Sequence, residues 1–237
     1  MAKKPQGKKE RGSQKWIQVA VNERPDLLNR YIHKSLGLAA LPAIQWMSPL
    51  KGDDYAEYSD HEALAQVRLE LPREPLTEFW PERGPNWDAL GVTDSGQVFF
   101  VEAKSHINEL KSVCGAKGQS LLQIKKVLAL TRDFLDVRSE NAEHRWLCDF
   151  YQYANRLAHL YFLREINHRD VYMVFVYFVN DTEMGGPSTI EEWKGAIRLV
   201  ESLLGVRRHK LGQYIGDVFI SVDELTHAST PSPVRQA

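Results

Sequence analysis

The chain is short of cysteine: Cys114 and Cys148 are the only two in 237 residues. Without CxxC spacing or further partners they suit neither a disulfide framework nor a zinc site, and they read as ordinary thiols of a reducing compartment. Long apolar runs are also missing. The longest, Val171 to Val179, has nine residues, against the roughly 20 that a membrane-spanning helix needs. The basic opening MAKKPQGKKERGSQK has no apolar stretch behind it, so it does not read as a secretory signal, and the expected setting is cytoplasmic with no membrane partner. Net charge is close to zero, at −1, so the total alone does not point to a polyanion. Other absences narrow the chemistry. No GxGxxG or GxxxxGK[ST] loop is present to cradle a nucleotide, HINEL and HEAL miss the HExxH spacing, and no GxSxG elbow occurs.

What is present is unevenly distributed. Residues 1 to 15 carry six basic groups against Glu10, and residues 51 to 82 carry nine acids against Lys51, Arg68 and Arg73. From Lys104 to Arg132 the balance turns basic again, with Lys104, Lys111, Lys117, Lys125, Lys126 and Arg132 against Glu109 alone. Such runs are ordinary solvated faces or, beside an acidic site, surfaces for a polyanionic substrate. A hydrophobic content of 43% suffices for one full-sized domain. Residues 1–12 and 227–237 are too polar to pack and are expected as mobile tails around a domain at 13–226.

Periodicity predicts two helical pieces over 13–36 broken at Pro25, and a helix opening at Asp53 and Asp54 that carries Glu57. Helices are expected over 119–137, 146–166 and 190–204. A hairpin turns at Asp94-Ser95-Gly96. The β-branched and aromatic run 171–179 predicts a strand covered on both faces, and DVFISV a last strand. Together these give an α/β fold, a central mixed sheet flanked by helices with an N-terminal helical extension.

The hairpin holds the chemistry. Thirteen residues separate Asp88 from Glu102, and the turn brings them side by side. Lys104, two residues beyond Glu102, points to the same face. Placed at the end of the apolar strand VFFV, the acids ask for a cation, either Lys104 or a metal. Mg²⁺ suits hard oxygen ligands of this kind. An exposed hairpin with Asp88 bonded in a turn is the plainer alternative. On the helix after it, Gln152, Asn155, Arg156 and His159 form a narrow polar stripe at spacings of three and four. It reads either as a solvent face or as a set of forked hydrogen-bonding groups, with Arg156 able to clamp a phosphate. His106 and His159 are candidate proton carriers or plain structural histidines.

Asp88 followed by Glu102-Ala103-Lys104 resembles the signature of the PD-(D/E)XK, or restriction-endonuclease-like, nucleases. The resemblance implies a core of one helix, three strands, a helix and a further strand over about residues 53 to 180, a little over half the chain. It implies that Asp88, Glu102 and the Ala103 carbonyl bind Mg²⁺ (or Mn²⁺) and that Lys104 orients the attacking water. It also implies that Gln152 and Arg156 join the site, and that an upstream acid does: Glu57, or its rivals Glu62, Glu78 and Glu82. Trp87 stands where that family's Pro would be. The activity implied is Mg²⁺-dependent hydrolysis of DNA, with RNA left open. The basic runs would meet the backbone, and pairing into a homodimer would let both strands be cut. A non-catalytic nucleic-acid- or partner-binding protein on the same fold is the alternative, and a purely structural subunit a third.

Overall fold

The computed structural model describes residues 3–38 and 42–226. In chain order the strands are β1 (Lys3–Lys4), β2 (Gln45–Ser48), β3 (Glu57–Tyr58), β4 (Ala89–Val92), β5 (Val98–Lys104), β6 (Val171–Val179) and β7 (Ile215–Ser221). The helices are α1 (Gly12–Glu23), α2 (Pro25–Leu36), α3 (Asp60–Gln66), α4 (Leu76–Phe79), α5 (Gly118–Phe134), α6 (Ala142–His144), α7 (Tyr151–Tyr161), α8 (Ile190–Leu204) and α9 (Val222–Thr226). Five strands form a mixed sheet in the order β2-β4-β5-β6-β7. The first three run antiparallel, and β5, β6 and β7 run parallel.

Alternation along the strands assigns each side chain to a layer. Val98, Phe100, Met173, Phe175 and Tyr177 face a core built with α5, α7 and α8. Phe99, Val101, Ala103, Val174, Val176 and Phe178 face a second core built with α1, α2 and α9. All but one of the nine residues of β6 are buried, as its unbroken apolar run requires of a strand covered on both faces. Buried indoles are satisfied and tie the layers together: Trp193 donates to the Phe178 carbonyl, Trp146 to that of Leu204, and Trp16 to the Asp181 carboxylate. No helix among the described residues is long and apolar enough to cross a membrane.

Four expectations change. Residues 3–12, expected as a mobile tail, are fixed: β1 pairs with β3, and the Gln18 amide accepts from the Lys9 N–H and donates to the Gly7 carbonyl. The β3 partner is remote in sequence and the Gln18 contacts are specific hydrogen bonds, so composition could not reveal either. The tail expected at 227–237 lies outside the described residues. Glu57 sits on β3, and the helix expected to carry it begins only at Asp60. The helix expected over 146–166 is interrupted at Phe150 and flanked by π-helical turns at Arg145–Asp149 and Phe162–Ile166. The cause is the 112–114 loop, whose Ser112 and Cys114 N–H groups take the Asp149 and Leu147 carbonyls while the Ser112 carbonyl accepts from Tyr151 N–H. The fourth is β2, which no sequence signal announced.

Gly186, in the turn after β6, lies against the end of β5. A Cβ there would stand 2.1 Å from the Ser105 carbonyl oxygen, so Gly186→Ala is expected to cost about 1–3 kcal/mol through backbone displacement. Urea unfolding checks this; a loss within experimental error would show that the turn does not pin the strand end.

Candidate functional site

The β4–β5 register pairs Ala89 with Val101, which sets Asp88 opposite Glu102. Paired residues share a face, so Asp88, Glu102 and Lys104 all project toward the layer containing α7. β4 ends here while β5 continues. The Ala103 N–H, which has no strand partner on that side, donates to Asp88 Oδ2 at 2.7 Å, and the Ala103 carbonyl points the same way. The residues meet in a cleft of about 380 Å³ walled by Arg11, Ser13 and Gln14 from the α1 end, the β5 terminus, His106, Glu109 and Gln152.

Charges inside the cleft are tightly matched. Lys104 Nζ donates to Glu102 Oε1 at 2.5 Å and to Gln152 Oε1 at 2.7 Å. Arg156 Nε donates to Glu102 Oε2 at 2.8 Å, and Nη2 reaches the same oxygen. Burial pushes the Glu102 carboxyl up, but the charges of Arg156 and Lys104 and the hydrogen bonds they donate outweigh it, so the group is held below the ordinary carboxylate range. Asp88 is the opposite case. Burial and then the Glu102 charge push its carboxyl well above the usual range, with Lys104 opposing and Glu57 adding to the rise. Glu57 is buried behind these groups and raised by burial, while Lys4, Gln14 and Gln6 oppose. Its two oxygens accept from the Gln6 and Gln14 amides at 2.8 and 2.9 Å.

The structure brings some of the candidate residues together and points others elsewhere. Asp88, Glu102, Lys104 and Gln152 share the cleft. Arg156 joins them but has no fork left for a phosphate: Nη1 donates to Asn155 Oδ1, Nη2 also donates to the Asn86 carbonyl, and Trp87 covers the guanidinium face at 4.4 Å. Among the candidate upstream acids, Glu57 is the one electrostatically linked to the cleft. Glu62 and Glu82 line a separate groove beside Trp80, and Glu78 lines another beside α5. Lys104 is buried, so the basic run begins on the exposed surface only at Lys111.

His159 is no proton carrier. Its ring lies among Phe79, Trp80 and Trp87, with Nδ1 against the Asn155 carbonyl at 2.8 Å. Burial, against that hydrogen bond, drives its pKa down to about 3. Because the folded value lies below the unfolded one near 6.5, its contribution is complete above pH 6.5 and is lost on acidification toward pH 3. His159→Phe is therefore expected to flatten the acid limb of the stability curve by about 1.4 kcal/mol per pH unit below 6.5; an unchanged limb in urea melts would contradict the assignment.

In the sequence Glu109 reads only as a lone acid in a basic run. Its Oε1 accepts the Ser105 and His106 N–H groups at 3.0 and 3.2 Å, and its Oε2 accepts Ser13 Oγ at 2.7 Å. It thus shapes the turn leaving β5 and ties α1 to it. The signal was available as a capping box, with Glu three residues after His106.

Two carboxylates and a backbone carbonyl at one strand end fit Mg²⁺, which keeps waters and takes substrate oxygens for the rest of its octahedron. Asp88 would be the open ligand, half-buried and without a cation hydrogen-bonded to it. Glu102 offers the lone pairs that Lys104 and Arg156 leave. Among the described residues no group of three or more His, Cys, Asp or Glu is placed to hold a metal unaided, so backbone, water and substrate oxygens would have to complete the shell. No family model, curated protein or solved structure matches the chain.

Proposed function

We propose that the cleft is the active site of a Mg²⁺-dependent nuclease that hydrolyses DNA phosphodiester bonds on a restriction-endonuclease-like scaffold. The observation that carries this reading is the meeting of Asp88, the Ala103 carbonyl, Glu102 and Lys104 where β5 outruns β4. The order of elements supports it: a helical pair, three antiparallel strands, helices, then a parallel strand. The helix heading that core is α1 with α2, upstream of the stretch at residue 53 that the sequence suggested.

The bound ion would neutralise charge on the phosphoryl group and make a water more acidic. Asp88 would bind it, ionising as it does so. Lys104, aimed by Glu102 Oε1 and Gln152 Oε1, would hold the attacking water by hydrogen bond and offset charge growing on phosphorus. Gln152 is itself held by a hydrogen bond from its N–H to Ser112 Oγ at 2.7 Å. Arg156 keeps the Glu102 carboxylate ionised and oriented. Arg11 lines the cleft and would meet a backbone phosphate.

One observation favours a second reading. Glu102 is already paired with two cations, as in a site that has given up its metal and retained the fold to bind nucleic acid or a partner. Labelled single- and double-stranded DNA incubated with Mg²⁺, Mn²⁺ or EDTA separates the two. Metal-dependent cleavage lost in Lys104→Met supports the nuclease; intact DNA together with salt-dependent, metal-independent binding supports the binding protein.

A further inference from the structure

On the same face of the sheet, at its β7 edge, lies a second cavity of about 330 Å³ lined by Tyr153, Glu201, Arg207, Arg208, His209 and Asp217 among others. It shares no lining residue with the Asp88 cleft. Phe175 is in register with Glu102 on one side and with Asp217 on the other, so the two acids lie roughly 10 Å apart across the sheet. Two polar atoms of this cavity, Asp217 Oδ1 and His209 Nδ1, are buried with no hydrogen-bond partner. Buried polar groups in native proteins are almost always paired, so these two call for a water or a ligand in the cavity. Nothing in the phosphodiester chemistry uses them.

Arg207, Arg208 and the Tyr153 hydroxyl line the cavity, yet none of them donates to Asp217 Oδ1 or His209 Nδ1. Burial and then the charge of Glu201 push Asp217 up to about 7, and burial also raises Glu201, against Tyr153, Arg207 and Arg198. Burial lowers the pKa of His209, and the neutral ring offers Nδ1 as an acceptor when Nε2 holds the proton. Tyr153 reaches Glu201 only at 3.5 Å. A metal ion is a poor occupant, because these groups do not converge closely enough to ligate one. A primary ammonium carries three donors, and its N···O distances near 2.9 Å tolerate a wider triangle of acceptors. Arg207 and Arg208, exposed at the rim, would repel a second cation and attract an anion.

We propose that this cavity binds a small zwitterionic primary amine, with the ammonium among Asp217, Glu201 and His209 and the anionic end at Arg207 and Arg208. The acceptors left unpaired in the protein are then satisfied by the ligand, and its two charges each meet their opposite.

Thermal unfolding of the full chain with 4-aminobutyrate, n-butylamine or butyrate tests it, since a ligand that binds only the folded state raises Tm by mass action. A saturable rise is expected with 4-aminobutyrate, a smaller one with n-butylamine and none with butyrate. Amide NMR shifts on adding 4-aminobutyrate should centre on Tyr153, His209 and Asp217. Asp217→Asn removes the repulsion with Glu201 while keeping the shape, and should bind 4-aminobutyrate at least about tenfold more weakly. Arg207→Ala with Arg208→Ala, both surface changes, should reduce 4-aminobutyrate to the level of n-butylamine. No rise and no NMR shift with any probe, undiminished binding in Asp217→Asn, or equal responses to 4-aminobutyrate and n-butylamine in the wild type would overturn the proposal. None of these readouts depends on nuclease activity.

Discussion

Asp88→Asn is expected to abolish metal-dependent DNA cleavage while leaving the protein folded, with Tm in EDTA equal to or above that of the wild type. The fold survives because the Asn carbonyl can still accept the Ala103 N–H that Asp88 Oδ2 accepts. The stability direction follows from linkage. Burial and the Glu102 charge raise the folded-state pKa of Asp88, so its favourable contribution is complete below the ordinary carboxylate pKa and is lost as pH rises through the raised value. Near neutral pH without a cation the ionised form is a burden, and a neutral amide relieves it. With Mg²⁺ the sign reverses. At the proposed site the ion would neutralise Asp88 and should raise the Tm of the wild type but not of Asp88→Asn, because stabilisation follows binding to the folded state. Loss of a metal ligand removes several kcal/mol of transition-state stabilisation, roughly 10³-fold in rate. Cleavage assays and melting curves, each with and without Mg²⁺, check both halves. Wild-type cleavage rates in the Asn variant, or a Tm indifferent to Mg²⁺ in the wild type, would refute this assignment.

Arg156→Met is expected to destabilise the protein by about 3–5 kcal/mol, because it leaves Glu102 buried with Lys104 as its one remaining cation. For a chain of this size that is on the order of 10 °C in Tm. The side chains of Arg156 and Glu102 are 3% and 2% exposed, so water cannot replace the lost partner. Met retains length and a contact with the Trp87 ring, which isolates the charge from the packing. Adding Glu102→Gln to Arg156→Met should restore much of the loss by removing the unpaired charge. Urea unfolding of the two single variants and the double variant gives the coupling directly. A loss below about 1 kcal/mol, the range of exposed pairs, would mean that the pair is solvated and that Arg156 is free for substrate.

Asp88 and Glu102 carry opposite electrostatic situations within one site. Asp88 lacks a cation of its own, whereas Glu102 has two. A charge ledger of Asp88, Glu102 and Glu57 against Lys104 and Arg156 leaves one negative charge when all are ionised, or none when Asp88 is protonated. At the proposed metal site, cation binding would release a proton from these acids, of which Asp88 and Glu57 both have raised pKa values. The N-terminal segment takes part through Gln6 and Gln14, which occupy Glu57, so changes there should reach the cleft without touching its central residues.

By itself the sequence determined the strands and helices whose signals are local: the hairpin at Asp94–Gly96, the strand Val171–Val179, the helix Ile190–Leu204, and the break before Pro25. It also determined that Asp88, Glu102 and Lys104 share a face, since that needs only a hairpin register and a period of two. Tertiary structure alone decided the rest, because the deciding contacts join different elements and no local pattern specifies them. The loop at Ser112 interrupts the helix around Phe150, residues 3–12 are held by β3 and Gln18, Glu57 is moved from a helix to a strand, and Arg156 is turned inward to Glu102. His159 and Arg156 sit on one polar stripe of α7 that sequence spacing could describe but not aim. Whether such a stripe meets water, an aromatic cage or a buried carboxylate depends on what the sheet and loops bring opposite it. That is set by burial and by pairing across 50 or more residues, which local periodicity does not encode.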